Sequence, residues 1–414
     1  MSIDRNEGSG IGDRLLMERF AAVFDEIREG AVEREKERRL AHHAVTLLRE
    51  SGFGAVRLPR RQGGLGASLP QLFRLLAALG EADSNLPQIW RAHCAFVEQR
   101  LAALDPIAGD PWLDLVADGA MFGAAMAERT EGTDTTATLT RDGDRLRLDG
   151  MKYYSTGTIY ASWIVAVARD GRERVAVAVP ASAPGVAIDD DWDGFGQRLT
   201  GSGTTRFADV AVEERQILRR FPIGELPTED YMLAFYQTVH LATLSGIGRA
   251  VLRDAVAFVR VKTRTFGVPG VSSPRHDPLV QRVVGRLSAV SLTLDALVDA
   301  VAARMQLAQD GLEGGRPDKA LCETANIAAF EAQQTAIDLV LQAAGLLFEV
   351  GGASATSEDG RLDRHWRNAR VLASHNPAIQ RERMIGDFRL NGTELGAVWK
   401  EAFKERSSAG DANA

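Results

Sequence analysis

The chain has 414 residues, of which 45% are hydrophobic and 25% charged, with a formal net charge of −7. That length predicts two or three domains, and the acidic balance without a basic block argues against a polyanionic partner such as nucleic acid. Two distant cysteines, Cys94 and Cys322, exclude a disulfide framework or a cysteine-rich zinc site and fit a reducing cytoplasm.

The first 118 residues read as a helical domain. Leu15–Glu29 places Leu16, Phe20, Val23, Phe24 and Ile27 at helical spacing, and the charged run Glu33–Arg39 follows it. His42–Glu50 continues the pattern up to Ser51-Gly52; Arg57–Leu69 reads as a loop, and Pro70–Ala82 and Leu86–Leu104 as two more helices. No apolar run reaches the roughly 18 residues that a membrane span needs, and Met1–Asp13 has no signal-peptide core.

Residues 119–222 change period. Short alternating segments at Met121–Ala127, Ala137–Arg141, Arg145–Asp149, Trp163–Arg169, Val175–Pro180, Val186–Asp189 and Thr204–Val212 predict an antiparallel β-barrel or sandwich, with a hairpin turn expected at Asp149-Gly150. Residues 223–400 return to helix at Tyr231–Thr265, Pro278–Asp310, Pro317–Leu347 and from near Pro377, which predicts an antiparallel four-helix bundle; residues 401–414 form a polar tail. The fold class is therefore α+β, and a β domain lodged between helical ones offers an edge cleft for a planar cofactor.

Four stretches carry candidate chemistry. Met126–Asp134 ends a strand in a glycine-containing polar loop that can approach a cofactor edge or simply close a turn. Lys152–Gly157 sets two tyrosines before two hydroxyls, suited to stacking and hydrogen bonding a ring or to ordinary cross-strand packing. Phe195–Thr205 is dense in glycine and hydroxyls and follows Trp192. Arg364–Arg370 concentrates basic side chains around Trp366, and His375-Asn376-Pro377 follows, with Pro377 suited to open a helix near which the His375 proton could be tuned.

Taken in order, these stretches resemble the acyl-CoA dehydrogenase superfamily over about Leu15 to Phe388. Met126–Asp134 is similar to its flavin loop, Lys152–Gly157 to its second flavin strand, Thr265-Phe266-Gly267 to its phosphate motif, Gly351-Gly352 to its glycine pair, and Trp366–Arg370 to the stretch before its catalytic Glu. The resemblance implies an N-terminal helical domain, a central antiparallel β-barrel and a C-terminal four-helix bundle. It also implies flavin contacts from Glu128, Arg129, Gly132, Thr133, Tyr154, Ser155, Thr156, Arg264, Phe266, Gly351, Gly352 and Arg370.

The departures matter as much. The Glu position falls on or beside Asn376 with no carboxylate nearby, Arg129 stands where the family has Pro, and Thr263 stands where it has the phosphate Arg. Without a base, removal of an α-proton should fail. A branch of two-component flavin monooxygenases, similar to dibenzothiophene monooxygenase, shares these departures. That likeness implies reduced FMN from a separate flavin reductase, with FAD as the alternative, and a C4a-(hydro)peroxyflavin formed with O2. It implies catalytic roles for His93, Ser155 and His375, and no metal. It further implies a small apolar, organosulfur-type substrate among Trp90, Phe96, Trp192 and Phe235, and a homotetramer. Two other readings stay open: a dehydrogenase whose carboxylate is relocated to Glu225, Glu229 or Asp230, and a non-catalytic flavin or acyl-CoA binder.

Overall fold

The structure is a computed structural model that describes residues 11–103, 109–129, 135–143, 145–171, 173–222, 230–263, 273–312, 317–395 and 397. Helices α1 (Asp13–Glu29), α2 (Ala31–Glu37), α3 (His42–Glu50), α4 (Leu69–Ala82), α5 (Leu86–Ala102) and α6 (Pro111–Ala117) come first. Strands follow: β1 (Phe122–Ala125), β2 (Thr138–Asp142), β3 (Arg145–Tyr153), β4 (Trp163–Asp170), β5 (Glu173–Pro180), β6 (Val186–Ile188), β7 (Thr204–Val212) and β8 (Ile217–Pro222). Helices α7 (Met232–Arg260), α8 (Pro278–Asp310), α9 (Lys319–Leu346), α10 (Asp363–His375) and α11 (Ala378–Asn391) complete the chain.

Local chemistry explains several boundaries. Ser68 accepts from the Gln71 N–H and Gln71 answers to the Ser68 N–H, a reciprocal cap that starts α4 one residue before Pro70. Asp277 caps α8, with Pro278 in its first turn. Asp149-Gly150 forms no hairpin: β3 runs through it to Tyr153, and the register shifts there because Asp149 alone stands opposite two residues of β7, Ala208 and Asp209, a bulge on β7 with Asp209 at φ +52°.

One mixed sheet takes the place of the expected closed antiparallel barrel. Its order is β6-β7-β3-β2-β4-β5-β8, an open path among the described residues, and β1 joins β4 in parallel. β4 shares one edge between β1, at Trp163–Ala166, and β2, at Arg169, so that edge is divided between two strands of different origin. Leu146, Leu148, Ile164, Val175, Val177, Val179, Phe207 and Val210 point inward and form the core of the sheet.

A second, larger core joins α1, α3, α4 and α5 to α7, α8 and α9. α4 and α7 touch backbone to backbone: a Cβ on Gly246 would lie 2.5 Å from the Ala77 carbonyl, so only glycine permits that distance. Gly157, after β3, has φ +79° and a notional Cβ 2.6 Å from the Ile89 carbonyl on α5, so the strand end is pressed against the helical core. Gly157→Ala combines left-handed strain with that clash and should destabilise the protein by about 2 kcal/mol or more, measured as a lower urea midpoint at unchanged slope.

Candidate active site

Two groups of side chains converge on α5 from opposite directions: the end of β3 at Ile89, and the C-terminal helices at Gln88 and Arg91.

At the β3 end, Tyr154 adopts φ +71° and half its surface is exposed. That turn buries Ser155 completely, and the Ser155 Oγ has no hydrogen-bond partner among the described residues. A buried hydroxyl without a partner is costly, so one belonging to a ligand would relieve it. Beside it runs a chain of hydroxyls: Thr156 Oγ1 lies 2.8 Å from Ser202 Oγ, which lies 2.7 Å from Thr200 Oγ1. Trp192 packs 6.3 Å from Tyr154 by ring centroids and donates its indole N–H to the Gln197 carbonyl. Small hydroxyls, an unpartnered Ser155 and two flanking aromatics fit the polar edge of a flavin-like ring.

Glu128 serves mainly as scaffold. It accepts from Lys152 at 2.5 Å, from Thr135 Oγ1 at 2.5 Å and from the Thr136 backbone N–H at 2.7 Å. Desolvation alone would raise its pKa, but these hydrogen bonds hold it down at about 2. Lys152 is fully buried, so the pair pins the loop after β1 to β3. Arg129 lies 4.7 Å over the Tyr153 ring. Gly351 is buried against Phe258 and exposed Gly352 has φ +52°. Among the described residues, the half-buried Arg370 donates to the Ser374 hydroxyl, at 3.1 Å. Gly132, Thr133, Arg264 and Phe266 lie outside the described residues, as do Glu225 and Glu229.

The C-terminal group centres on His375. It is the last residue of α10 rather than the start of a helix, and α11 opens immediately after, behind Pro377. Its ring reaches solvent, yet surrounding protein strips most of its water and pushes its pKa down to about 3, with the Arg91 charge acting in the same direction. Accessible surface governs what His375 can touch, and crowding governs its charge. Its nearest ring is His240 of α7, with centroids 4.5 Å apart. His240 is buried, its Nε2 lies 2.9 Å from Gln88 Oε1, and burial and the neighbouring His375 hold its pKa well below 6.5. Asn376 donates to Gln237 Oε1 at 3.0 Å, and Arg381 donates to the same oxygen. Sequence patterns did not single out His240, Arg91, Gln237 or Arg381; the available signal was polar residues on otherwise apolar helix faces.

His93, a catalytic residue by the resemblance, is held by backbone on both sides of its ring. The Phe122 N–H donates to its Nδ1 at 3.3 Å, and its Nε2 lies 2.9 Å from the Gly54 carbonyl. Both nitrogens are thereby engaged by backbone, joining α5 to β1 and the turn at Phe53–Ala55. Three expected substrate residues are also core: Trp90 packs edge-on to Phe53, Phe96 stacks 3.9 Å from Phe122, and Phe235 packs edge-on to Phe73. Only Trp192 of that set is half-exposed. Asp230, just before α7, accepts from the first helical N–H, that of Met232, at 2.9 Å.

Burial pushes the His93 pKa down to about 4 from 6.5. The unfolded chain binds that proton first, so the stabilisation is complete above about 6.5 and is lost as pH falls towards about 4. Thermal melts should show stability falling across that window, by on the order of 3 kcal/mol from this residue, and a shallower fall in His93→Gln. Equal slopes in the two proteins would contradict the assignment. Glu128→Ala, which leaves the Lys152 ammonium buried, should cost about 3–5 kcal/mol in urea unfolding.

Comparison with known proteins bears on this arrangement. Family models described as the acyl-CoA dehydrogenase middle domain and C-terminal domain match residues 123–210 and 238–379. A dibenzothiophene monooxygenase of Mycolicibacterium goodii is 28% identical over 389 residues, covering 87% of this chain and 90% of that protein. A probable FMNH2-dependent monooxygenase, SfnC, of Pseudomonas putida is 27% identical over 354 residues, covering 83% and 87%. The structure of FMN-bound TdsC from Paenibacillus sp. A11-2 superposes with a TM-score of 0.83 at 25% identity, covering 92% of this chain and 98% of that one.

Proposed function

The chain belongs to the acyl-CoA dehydrogenase superfamily, and within it we propose a reduced-flavin-dependent monooxygenase that places one atom of O2 on a small organic substrate. The observation that carries this reading is the surroundings of His375. Where dehydrogenases of the family place a carboxylate, this chain has His375 and Asn376, flanked by His240, Arg91 and Arg381. Among the described residues, no carboxylate bonds any of these five. Asp230, the one alternative carboxylate among the described residues, spends an oxygen on the first N–H of α7.

In this reading FMN, received reduced from a separate flavin reductase, supplies the electrons that activate oxygen. FMN is preferred to FAD because SfnC is named FMNH2-dependent and TdsC holds FMN. Ser155 would hydrogen bond the ring edge, with Tyr154, Thr156, Trp192 and Arg129 around it, and Arg370 and Gly351-Gly352 are candidates for its polar tail. His375, neutral near pH 7, can accept a proton at one nitrogen and donate at the other, which suits it to hold and protonate an oxygen species while protein excludes water. An organosulfur substrate is suggested by the likeness to dibenzothiophene monooxygenase. A homotetramer is proposed on the family likeness and on Leu279, Leu292 and Leu307 of α8, which stand exposed. Light scattering on a sizing column should then give four chains; a monomer would contradict it.

The test supplies chemically reduced FMN, a panel of sulfides and thiophenes, and isotopically labelled dioxygen. Label should appear in an oxidised product. His375→Phe should divert roughly tenfold more oxygen to free hydrogen peroxide. An acyl-CoA that bleaches bound oxidised FAD, with no label transferred to any substrate, would overturn the reading.

A further inference from the structure

The chain treats most of its buried and half-buried arginines alike. Arg34 pairs with Asp83, Arg57 with Glu98, Arg249 with Asp295, Arg364 with Asp254 and Arg367 with Glu35. Arg91 and Arg381 differ. The Arg91 guanidinium lies 4.9 Å over the Tyr236 ring, and its Nε donates to the Tyr236 carbonyl at 3.4 Å. Arg381 donates to the side-chain oxygens of Gln237 and Gln333 and lies 4.2 Å from the Phe330 ring centroid. Neither forms an ion pair with a carboxylate among the described residues. Both are cations held by rings and neutral oxygens, an arrangement that costs desolvation without returning a Coulombic gain.

Their position is specific. Tyr236, Gln237 and His240 occupy little more than one turn of α7. Tyr236 carries Arg91, Gln237 joins Arg381 to Asn376, and His240 lies against His375. The two guanidinium groups thus meet the same turn of α7 from α5 and from α11. His240 of α7 lies against the His375 ring, and the charges of Arg91 from α5 and Arg381 from α11 reach it, with Tyr236 beside Arg91. Both imidazoles are neutral near pH 7, so the local charge comes from the two arginines. The first turn of α11 adds backbone N–H groups without a side-chain cap.

We propose that Arg91 and Arg381 bind an oxyanion carried by the substrate, a carboxylate, sulfinate or sulfonate group, and hold it beside His375. This deepens the function proposed above and rests on it for the identity of the bound molecule as substrate. It replaces an apolar lining: Trp90, Phe96 and Phe235 are closed into the core, and the side chains that converge on solvent-reachable His375 are cationic and polar. Guanidinium groups recognise planar or tetrahedral oxyanions through paired N–H donors. A neutral thiophene would gain nothing from them. Anchoring the charged end would fix which atom of the substrate stands next to His375.

The experiment titrates methanesulfonate into the whole protein by calorimetry, with and without FMN, against dimethyl sulfone, a neutral molecule of similar shape. Methanesulfonate should bind, dimethyl sulfone should not, and added salt should weaken the binding. Arg91→Gln should weaken it roughly tenfold or more, with Arg91→Lys between. Arg91 is the first choice because its bonds are to a carbonyl and a ring; Arg381→Gln also loosens α11 from Gln237 and Gln333, so its melting curve is recorded beside its affinity. FMN affinity, read by fluorescence, should stay within about twofold in Arg91→Gln. Equal binding of the two probes, no binding of either, or an unchanged affinity in Arg91→Gln would overturn the proposal. Loss of FMN binding in that variant with riboflavin binding unaltered would overturn it too, by assigning the arginines to the cofactor phosphate. Methanesulfonate binding without any oxygen transfer removes the monooxygenase reading and keeps the anion site. Transfer to neutral sulfides, with none to a sulfide that carries a carboxylate or sulfonate group, keeps the reading and removes the site.

Discussion

Positive charge whose field reaches His375, with no carboxylate bonded to it among the described residues, is the constraint from which the rest of this site follows. Arg91 and Arg381 lie against rings and amide oxygens, and desolvation lowers their pKa values to about 10 and about 9. Both therefore stay charged near pH 7, and their field opposes any proton on the imidazole beside them. A carboxylate base here would be drawn into an ion pair. A neutral imidazole can instead accept and donate in turn, and it leaves the two cations available to a negatively charged ligand.

The scaffold brings this chemistry to one place through α5. Gln88 and Arg91 stand one turn apart and reach α7, while Ile89 and His93 stand on the next face and reach the β3 end and β1. The loop after Trp192 makes the second connection: the Gln197 N–H donates to Asn368 Oδ1 at 2.6 Å and Arg367 donates to the Phe195 carbonyl at 2.8 Å, both on α10. The unpartnered Ser155 hydroxyl and the His375 ring are thus fixed to the same two helices. The Glu128–Lys152 pair stiffens the base of the β side, where sequence alone suggested a cofactor contact.

Much of the architecture was legible in the sequence. Periodicity recovered α8 to the residue, because Asp277-Pro278 is an unambiguous start and Gly311 follows the end. The predicted strands were found in order, but Asp149-Gly150 carries the composition of a turn and continues β3 opposite a bulge in β7, since pairing with β7 outweighs local preference. Pro111–Ala117 and Ile217–Pro222 escaped notice because each is too short to show a period. The site was legible only in part. His375, Asn376 and Ser155 stood in recognisable motifs. Arg91, His240 and Arg381 did not, because they meet from three helices separated by more than a hundred residues along the chain. The aromatic residues were hard to place for the opposite reason: the sequence marks Trp90, Phe96 and Phe235 as apolar, and only packing decides that they are buried.

The charge of His375 tests this account most directly. Its ring protons can be followed by NMR against pH, assigned by their loss in His375→Gln. The account predicts a neutral ring from pH 8 down to about pH 5, well below the ordinary 6.5. Saturating methanesulfonate should move the midpoint upward as the arginine charge is offset. A midpoint near 6.5 in the protein alone, unmoved by the anion, would show that the two arginines do not act on His375 and would contradict the account at its centre.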